Sequence, residues 1–187
     1  MAEFEYEWVK EFDPAKRRFT GQKYLLLKRI MDLSIIFLTS PIWLPVFLLI
    51  YLIILIGSPG APVIYTNKRA GLGGRPFLFY KFRTMVPNAE ALKEKYAHLN
   101  ELEWPDFKIT NDPRVIPIGR ILRKTSLDEL PQVFNIIKGD MSLVGPRPTD
   151  FGPDAYRLWQ TERLDVLPGV TGLWQITARG SVNMDER

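Results

Sequence analysis

"LSIIFLTSPIWLPVFLLIYLIILI", residues 33–56, runs for 24 residues without a charge. At about 1.5 Å per residue, a straight helix of that length crosses a hydrocarbon core roughly 30 Å thick. Its middle argues against simple crossing. "TSPIWLP" holds Pro41 and Pro45, and each proline removes a helical hydrogen bond and obstructs the preceding turn. Thr39 and Ser40 can bond the carbonyls so freed. The reading is a re-entrant helix–break–helix, broken at Ser40 and Pro41, that dips into one leaflet and returns. A kinked spanning helix is the alternative.

The flanks favour the re-entrant form. Lys23, Lys28 and Arg29 precede the run, and Lys68, Arg69, Arg75, Lys81 and Arg83 follow it. Short cytoplasmic flanks collect Lys and Arg, so both ends belong on one side. A cleaved signal peptide fits badly, because the run begins late and is too long.

The whole chain, 187 residues with net charge +4, suits one domain with a real core. It has no cysteine, which excludes disulfides, thiol nucleophiles and thiolate metal sites. The single histidine, His98, lies in the polar stretch "KEKYAHLNELEW" and reads as a solvated surface residue. Chemistry must then rest on carboxylates, hydroxyls, lysines and arginines, with or without a hard metal ion. The basic flanks resemble a nucleic-acid footprint, but membrane placement accounts for them better, and no nucleic-acid partner is expected.

Downstream, "PVIYTN" and "PFLFYKF" are β-rich and separated by the glycine-bearing "KRAGLGGR", which predicts a hairpin. Leu92, Tyr96, Leu99 and Leu102 recur at helical spacing, predicting an amphipathic surface helix over 88–104. "DPRVIPIGRILRK" is a turn entering a short basic segment, and 153–166 reads as a helix stopped by "LPGVTG". The expected fold is α+β, mostly helical with a small β-hairpin, monotopic in the membrane, with amphipathic interfacial helices. Residues 1–22 form an acidic tail, 23–57 the re-entrant helix, and 58–187 a cytoplasmic catalytic domain.

The most informative stretch is "RKTSLDELPQVFNIIKGDM". Leu130, Val133, Phe134 and Ile137 fall on one stripe of a helix, and Lys138–Gly139 is a plausible stop. Two starts are open. Ser126 and Glu129 have capping-box spacing, which would make Glu129 structural. A start at Asp128 puts Pro131 in the first turn, where its missing N–H is harmless. Either way the helix dipole, Arg123 and Lys124 favour an ionised Asp128. Such a carboxylate can attack phosphorus, and adjacent Glu129 suits a Mg²⁺ that keeps waters and binds substrate phosphates. The bland alternative is that both acids only cap a helix. In "SLVGPRP", Gly145 permits a close approach or an unusual dihedral. Arg147, between two prolines, sits on a stiff mount. It waits for an anion or pairs with Asp140 or Asp150.

"KFRTM" (81–85), "SLDELPQVFNIIKGDMSLVGPRP" (126–148) and "LPGVTGLWQITARG" (167–180) closely resemble the bacterial sugar transferase family, the monotopic polyprenyl-phosphate phosphoglycosyl transferases. The resemblance runs from about Lys28 to the end and includes the Ser40–Pro41 break. It implies transfer of a sugar-1-phosphate from a UDP-sugar to a membrane polyprenyl phosphate with release of UMP, at the cytoplasmic face of the bacterial inner membrane. It implies that Asp128 is the nucleophile and Glu129 a Mg²⁺ ligand. Arg123 would hold the lipid phosphate or phosphosugar, Arg147 and Arg179 the donor, and Lys81 and Arg83 would line the same region. "GLWQITARG" leans toward a hexose donor. Downstream glycosyltransferases are implied partners, and a further amphipathic tail is expected beyond "SVNMDER". The competing expectation, from another class, is an inactive membrane adaptor for glycan-assembly enzymes.

Overall fold

The structure, a computed structural model, describes residues 21–101, 109–149, 163–173 and 175. Its elements are α1 (Gly21–Gly57), β1 (Ile64–Ala70), β2 (Pro76–Phe82), α2 (Pro117–Thr125), α3 (Gln132–Lys138), β3 (Ser142–Val144) and β4 (Gly169–Thr171). Residues 1–20 of the acidic tail and Arg179 lie outside the described residues, as does most of the helix expected over 153–166, while Gly21 and Gln22 already belong to α1.

The expected break at Ser40–Pro41 is not an interruption: α1 is one helix of 37 residues with both prolines inside it. Side chains explain why the helix survives. Pro41 has no N–H to offer the carbonyl of Phe37, and Ser40 Oγ donates to that oxygen at 2.7 Å. Thr39 Oγ1 donates to Ile35 O at 2.6 Å, and Trp43 Nε1 reaches back to Ile36 O at 2.9 Å. The hydroxyls were legible; their power to keep the helix continuous was not.

By length and composition α1 can cross a membrane. Its contacts show a different disposition. Near one end, Asp32, 2% exposed, accepts a hydrogen bond from Ser142 Oγ at 2.6 Å. Lys28 also donates to Ser142, and to Val144 O at 3.1 Å. Arg29 donates to the carbonyls of Ile136 and Ile137, placing a cation on the last turn of α3. Near the other end, Ile50 and Ile54 pack with Val63, Phe82 and Leu122. One folded unit therefore holds both ends of α1, whereas a crossing helix delivers its ends to opposite sides. The opposite face exposes Phe37, Leu38, Ile42, Leu48, Leu49 and Ile56. This is consistent with a monotopic placement, apolar face toward lipid. Because the chain has no cysteine, Gln22→Cys and Lys68→Cys give clean probes. Both are expected to react with a membrane-impermeant maleimide from the cytoplasmic side only; labelling from opposite sides means that α1 spans.

The hairpin forms as expected, with β1 and β2 antiparallel from Ile64↔Phe82 to Ala70↔Pro76. α3 lies on β2 and ends at Gly139, whose φ of 93° only glycine adopts readily and whose N–H closes the helix on Asn135 O and Ile136 O. The stripe expected to be buried on α3 is only partly so. Leu130 and Val133 are half-buried but Phe134 and Ile137 are exposed, and the fully buried face is Gln132, Asn135 and Ile136. Asn135 explains the difference. Its amide accepts from Tyr80 N at 3.1 Å and donates to Leu78 O at 2.6 Å, completing the free edge of β2. Phe134 instead meets Trp43 and Phe47 of α1 edge-on.

The helix expected over 88–104 is also corrected. Residues 88–93 are turns and Glu94–Leu99 is a 3-10 helix with no buried residue, Leu102 lying outside the described residues. A short segment without a packed face has nothing to offset the cost of helix nucleation. His98 is exposed there, as expected. β4, within "LPGVTG", pairs parallel with β3 and was not foreseen.

Candidate active site

α2 stops at Thr125, and Ser126 takes a left-handed backbone (φ 59°, ψ 15°), the only non-glycine with positive φ among the described residues. That conformation costs of order 1–3 kcal/mol and collects at functional sites. It swings the chain into a 3-10 turn, Leu127–Glu129, before α3 begins at Gln132. The expected capping box does not form, because a cap needs extended backbone and Ser126 is left-handed. Nor does α3 start at Asp128. Pro131 stands just ahead of its first residue, where a missing N–H does no harm.

The turn aims both carboxylates at cations from distant parts of the chain. Lys81, at the end of β2, places Nζ 3.0 Å from Glu129 Oε1 and 3.7 Å from Asp128 Oδ2. Arg147 grips Glu129 with both arms, Nη2 to Oε1 at 2.6 Å and Nη1 to Oε2 at 3.1 Å. This fork-to-carboxylate geometry is the strongest form of the pair. Of the pairings weighed for Arg147 from sequence, neither named Glu129; Asp150 lies outside the described residues. Arg123 donates through Nε to Thr84 Oγ1 at 2.9 Å. α2 brings it there by pressing Gly119 onto the Thr84 backbone, where a Cβ would sit 2.3 Å from Thr84 O.

The two acids diverge electrostatically. Burial pushes Asp128, 7% exposed, above the usual carboxylate range, and the charge of Lys81 only partly opposes it. This corrects the expectation that its surroundings favour ionisation. Asp128 sits on a 3-10 turn rather than at a helix terminus, and desolvation outweighs its cations. Burial pushes Glu129 up as well, but the hydrogen bonds from Arg147 and the charge of Lys81 prevail and hold it at about 2. Burial lowers Lys81, against the pull of Glu129. The result is a more acidic, doubly clamped Glu129 beside a less acidic Asp128. Among the described residues none donates a hydrogen bond to Asp128.

Asp128, Glu129, Lys81, Arg83, Arg123 and Arg147 all line one cavity of about 1240 Å³. Six of the seven candidates for catalysis and substrate binding are thus together; the seventh, Arg179, is outside the described residues. Sequence reasoning missed Thr84, which steadies Arg123, and Gln175, which joins the cavity wall. It also missed Asp32, although a carboxylate just ahead of an apolar run is itself a signal.

The bacterial sugar transferase family model matches residues 23–187. The undecaprenyl-phosphate galactose phosphotransferase of Salmonella typhimurium is 46% identical over 170 residues, covering 86% of this chain and 34% of that protein. The galactosyl transferase CpsE of Streptococcus agalactiae is 40% identical over 168 residues, 88% and 36% of the two chains. The exopolysaccharide production protein ExoY of Rhizobium meliloti is 38% identical over 169 residues, 87% and 74%. The chain spans about a third of the length of the first two. With a match across nearly its whole described length, this chain belongs to the bacterial sugar transferase family.

Proposed function

We propose that the chain transfers a hexose-1-phosphate from a UDP-sugar to a polyprenyl phosphate in the bacterial inner membrane, at its cytoplasmic face, releasing UMP. The observation that carries this reading is the convergence of Lys81, Arg123 and Arg147 on the Asp128–Glu129 pair in one cavity, on a unit docked along an apolar helix. Relatives named for galactose and undecaprenyl phosphate support the substrate classes. Nothing among the described residues favours the inactive-adaptor reading, since dyad and cations are in place. The product, a lipid-linked sugar, would pass to glycosyltransferases that extend it.

In the first half-reaction an ionised Asp128 oxygen attacks the phosphorus bearing the sugar. An Asp128–phosphorus bond forms, the bond to the bridging oxygen breaks, and UMP leaves with that oxygen and its electron pair. In the second, an oxygen of the lipid phosphate attacks the same phosphorus and the aspartyl oxygen departs, restoring Asp128. A ping-pong order lets one small site serve a donor arriving from water and an acceptor confined to the membrane. Arg123 and Arg147 supply guanidinium forks for phosphate oxygens, and Lys81 steadies the anionic form of Asp128. Arg179 would add a donor contact.

Mg²⁺ is part of the proposal. Among the described residues no three metal-ligating side chains gather into an all-protein cage. Mg²⁺ needs none: one or two carboxylates plus substrate phosphates satisfy it, and the neighbouring carboxylates of Glu129 and Asp128 line the same cavity. Glu129 would hold it, releasing Arg147 or Lys81 toward the diphosphate. When bound, it offsets charge on the diphosphate and on the leaving UMP.

The test is UMP release from a panel of UDP-sugars with polyprenyl phosphate and Mg²⁺. Release with UDP-galactose or UDP-glucose is expected; none with any donor rejects the reading. A pH profile tests the electrostatics. With burial raising Asp128, kcat/KM should fall on acidification at a pH above the roughly 3.9 of an ordinary aspartate. Lys81→Met removes a cation that favours the ionised form, so the acid limb should move to higher pH. A limb that stays put or moves down contradicts Lys81 as the steadying charge.

A further inference from the structure

Arg83 stands apart from the other cations of the cavity. It is 6% exposed, and one arm donates to the carbonyl of Ser58, just beyond the last turn of α1. Its Nε and Nη1 are closed off from water and have no acceptor. Among the described residues no carboxylate pairs with it, whereas Lys81 and Arg147 are both engaged by Glu129. A buried guanidinium with unpaired N–H groups is costly, and a structural cap on a helix end would need only a neutral donor. Side chains two apart on an extended strand share a face, so Arg83 follows Lys81 to the cavity side of the chain. Both line the cavity.

We infer that Arg83 is the clamp for the phosphate of the lipid-borne acceptor; this rests on the transferase reading above and deepens it. An anionic phosphate entering the cavity that Arg83 lines would draw the guanidinium off Ser58 O and give Nε and Nη1, out of reach until it turns, the acceptors they lack, in the planar geometry a guanidinium matches. Position selects the lipid phosphate over the donor's. Arg83 is tied to Ser58, where the apolar helix ends, and Ala61, Pro62, Ile64 and Pro87 make an apolar wall for a prenyl chain in the same cavity. The donor diphosphate is met instead around Glu129, by Lys81 and Arg147. The cavity then has a lipid end and a nucleotide end, with Asp128 reached from both.

The test is equilibrium binding to the full chain in nanodiscs, comparing undecaprenyl phosphate with undecaprenol, and UMP with inorganic phosphate, with no turnover required. Wild type should prefer the lipid phosphate to the alcohol. Arg83→Gln should weaken lipid-phosphate binding about ten- to a hundredfold while UMP binding stays within twofold. Arg83→Lys keeps a charge and can still reach Ser58 but lacks the fork, so it should bind a few-fold weaker than wild type; it carries the test if thermal melts show Arg83→Gln unfolded. A wild type without preference for the phosphate, an Arg83→Gln that keeps the preference, an equal loss of UMP and lipid binding, or Arg83→Lys matching wild type overturns the inference. Lipid-phosphate preference that depends on Arg83, in a protein releasing UMP from no donor, would reject the transferase reading and leave the clamp standing.

Discussion

Asp128→Asn is expected to abolish UMP release and to abolish capture of label from a UDP-sugar carrying ³²P in its β-phosphate, when that donor is given without acceptor. The substitution is nearly isosteric and leaves the 3-10 turn and the Arg147–Glu129 fork undisturbed, so the loss is chemical. An amide oxygen is a poor nucleophile toward phosphorus, and losing a nucleophile costs on the order of 10⁴-fold or more. Wild type should hold one label per chain, stable until polyprenyl phosphate discharges it. Glu129→Gln separates the partner's role. It frees Lys81 and Arg147 from their anion and should weaken the Mg²⁺ dependence while the label is still captured slowly. Turnover by Asp128→Asn within tenfold of wild type would remove Asp128 as the nucleophile.

Much of the site was legible because adjacency in sequence is adjacency in space on a tight turn. Asp128 and Glu129 needed no tertiary knowledge to be paired, and Pro146 and Pro148 marked Arg147 as stiffly mounted. Its partner was illegible, because Glu129 comes to Arg147 only after α3 and β3 have folded back on each other. The same limit hid Asn135. A buried asparagine makes sense only once the open edge of β2 lies beside it. Helical spacing at Leu130, Val133, Phe134 and Ile137 reported apolar residues correctly but not which neighbour each would meet, since α3 is packed between β2 and the aromatic rings of α1. At 92–99 the spacing was present and the neighbour was not, so no α-helix formed.

Gly145→Ala is expected to do nearly as much damage as losing Arg147 itself, through backbone alone. A Cβ at this position would lie 2.4 Å from Leu167 O and 2.8 Å from Gly169 N, distances that real side chains do not reach. The atoms in the way are backbone, so no rotamer relieves the clash. β3 and β4 must part, and with them go the bonds from Gly145 N to Thr171 O and from Gly169 N to Pro146 O, both 2.9 Å. Those bonds hold Pro146, and Pro146 holds Arg147. Overpacking of this kind costs about 1–3 kcal/mol of stability. The larger effect is on rate, since a misplacement of about 1 Å at a reacting centre costs on the order of 10²-fold. Gly57→Ala is the control, because a Cβ there meets nothing within 4 Å. Melting temperature and UMP release should both be unchanged in Gly57→Ala and both fall in Gly145→Ala. If Gly145→Ala keeps full activity, the β3–β4 contact is not what fixes Arg147, and the arginine's aim must come from the prolines alone.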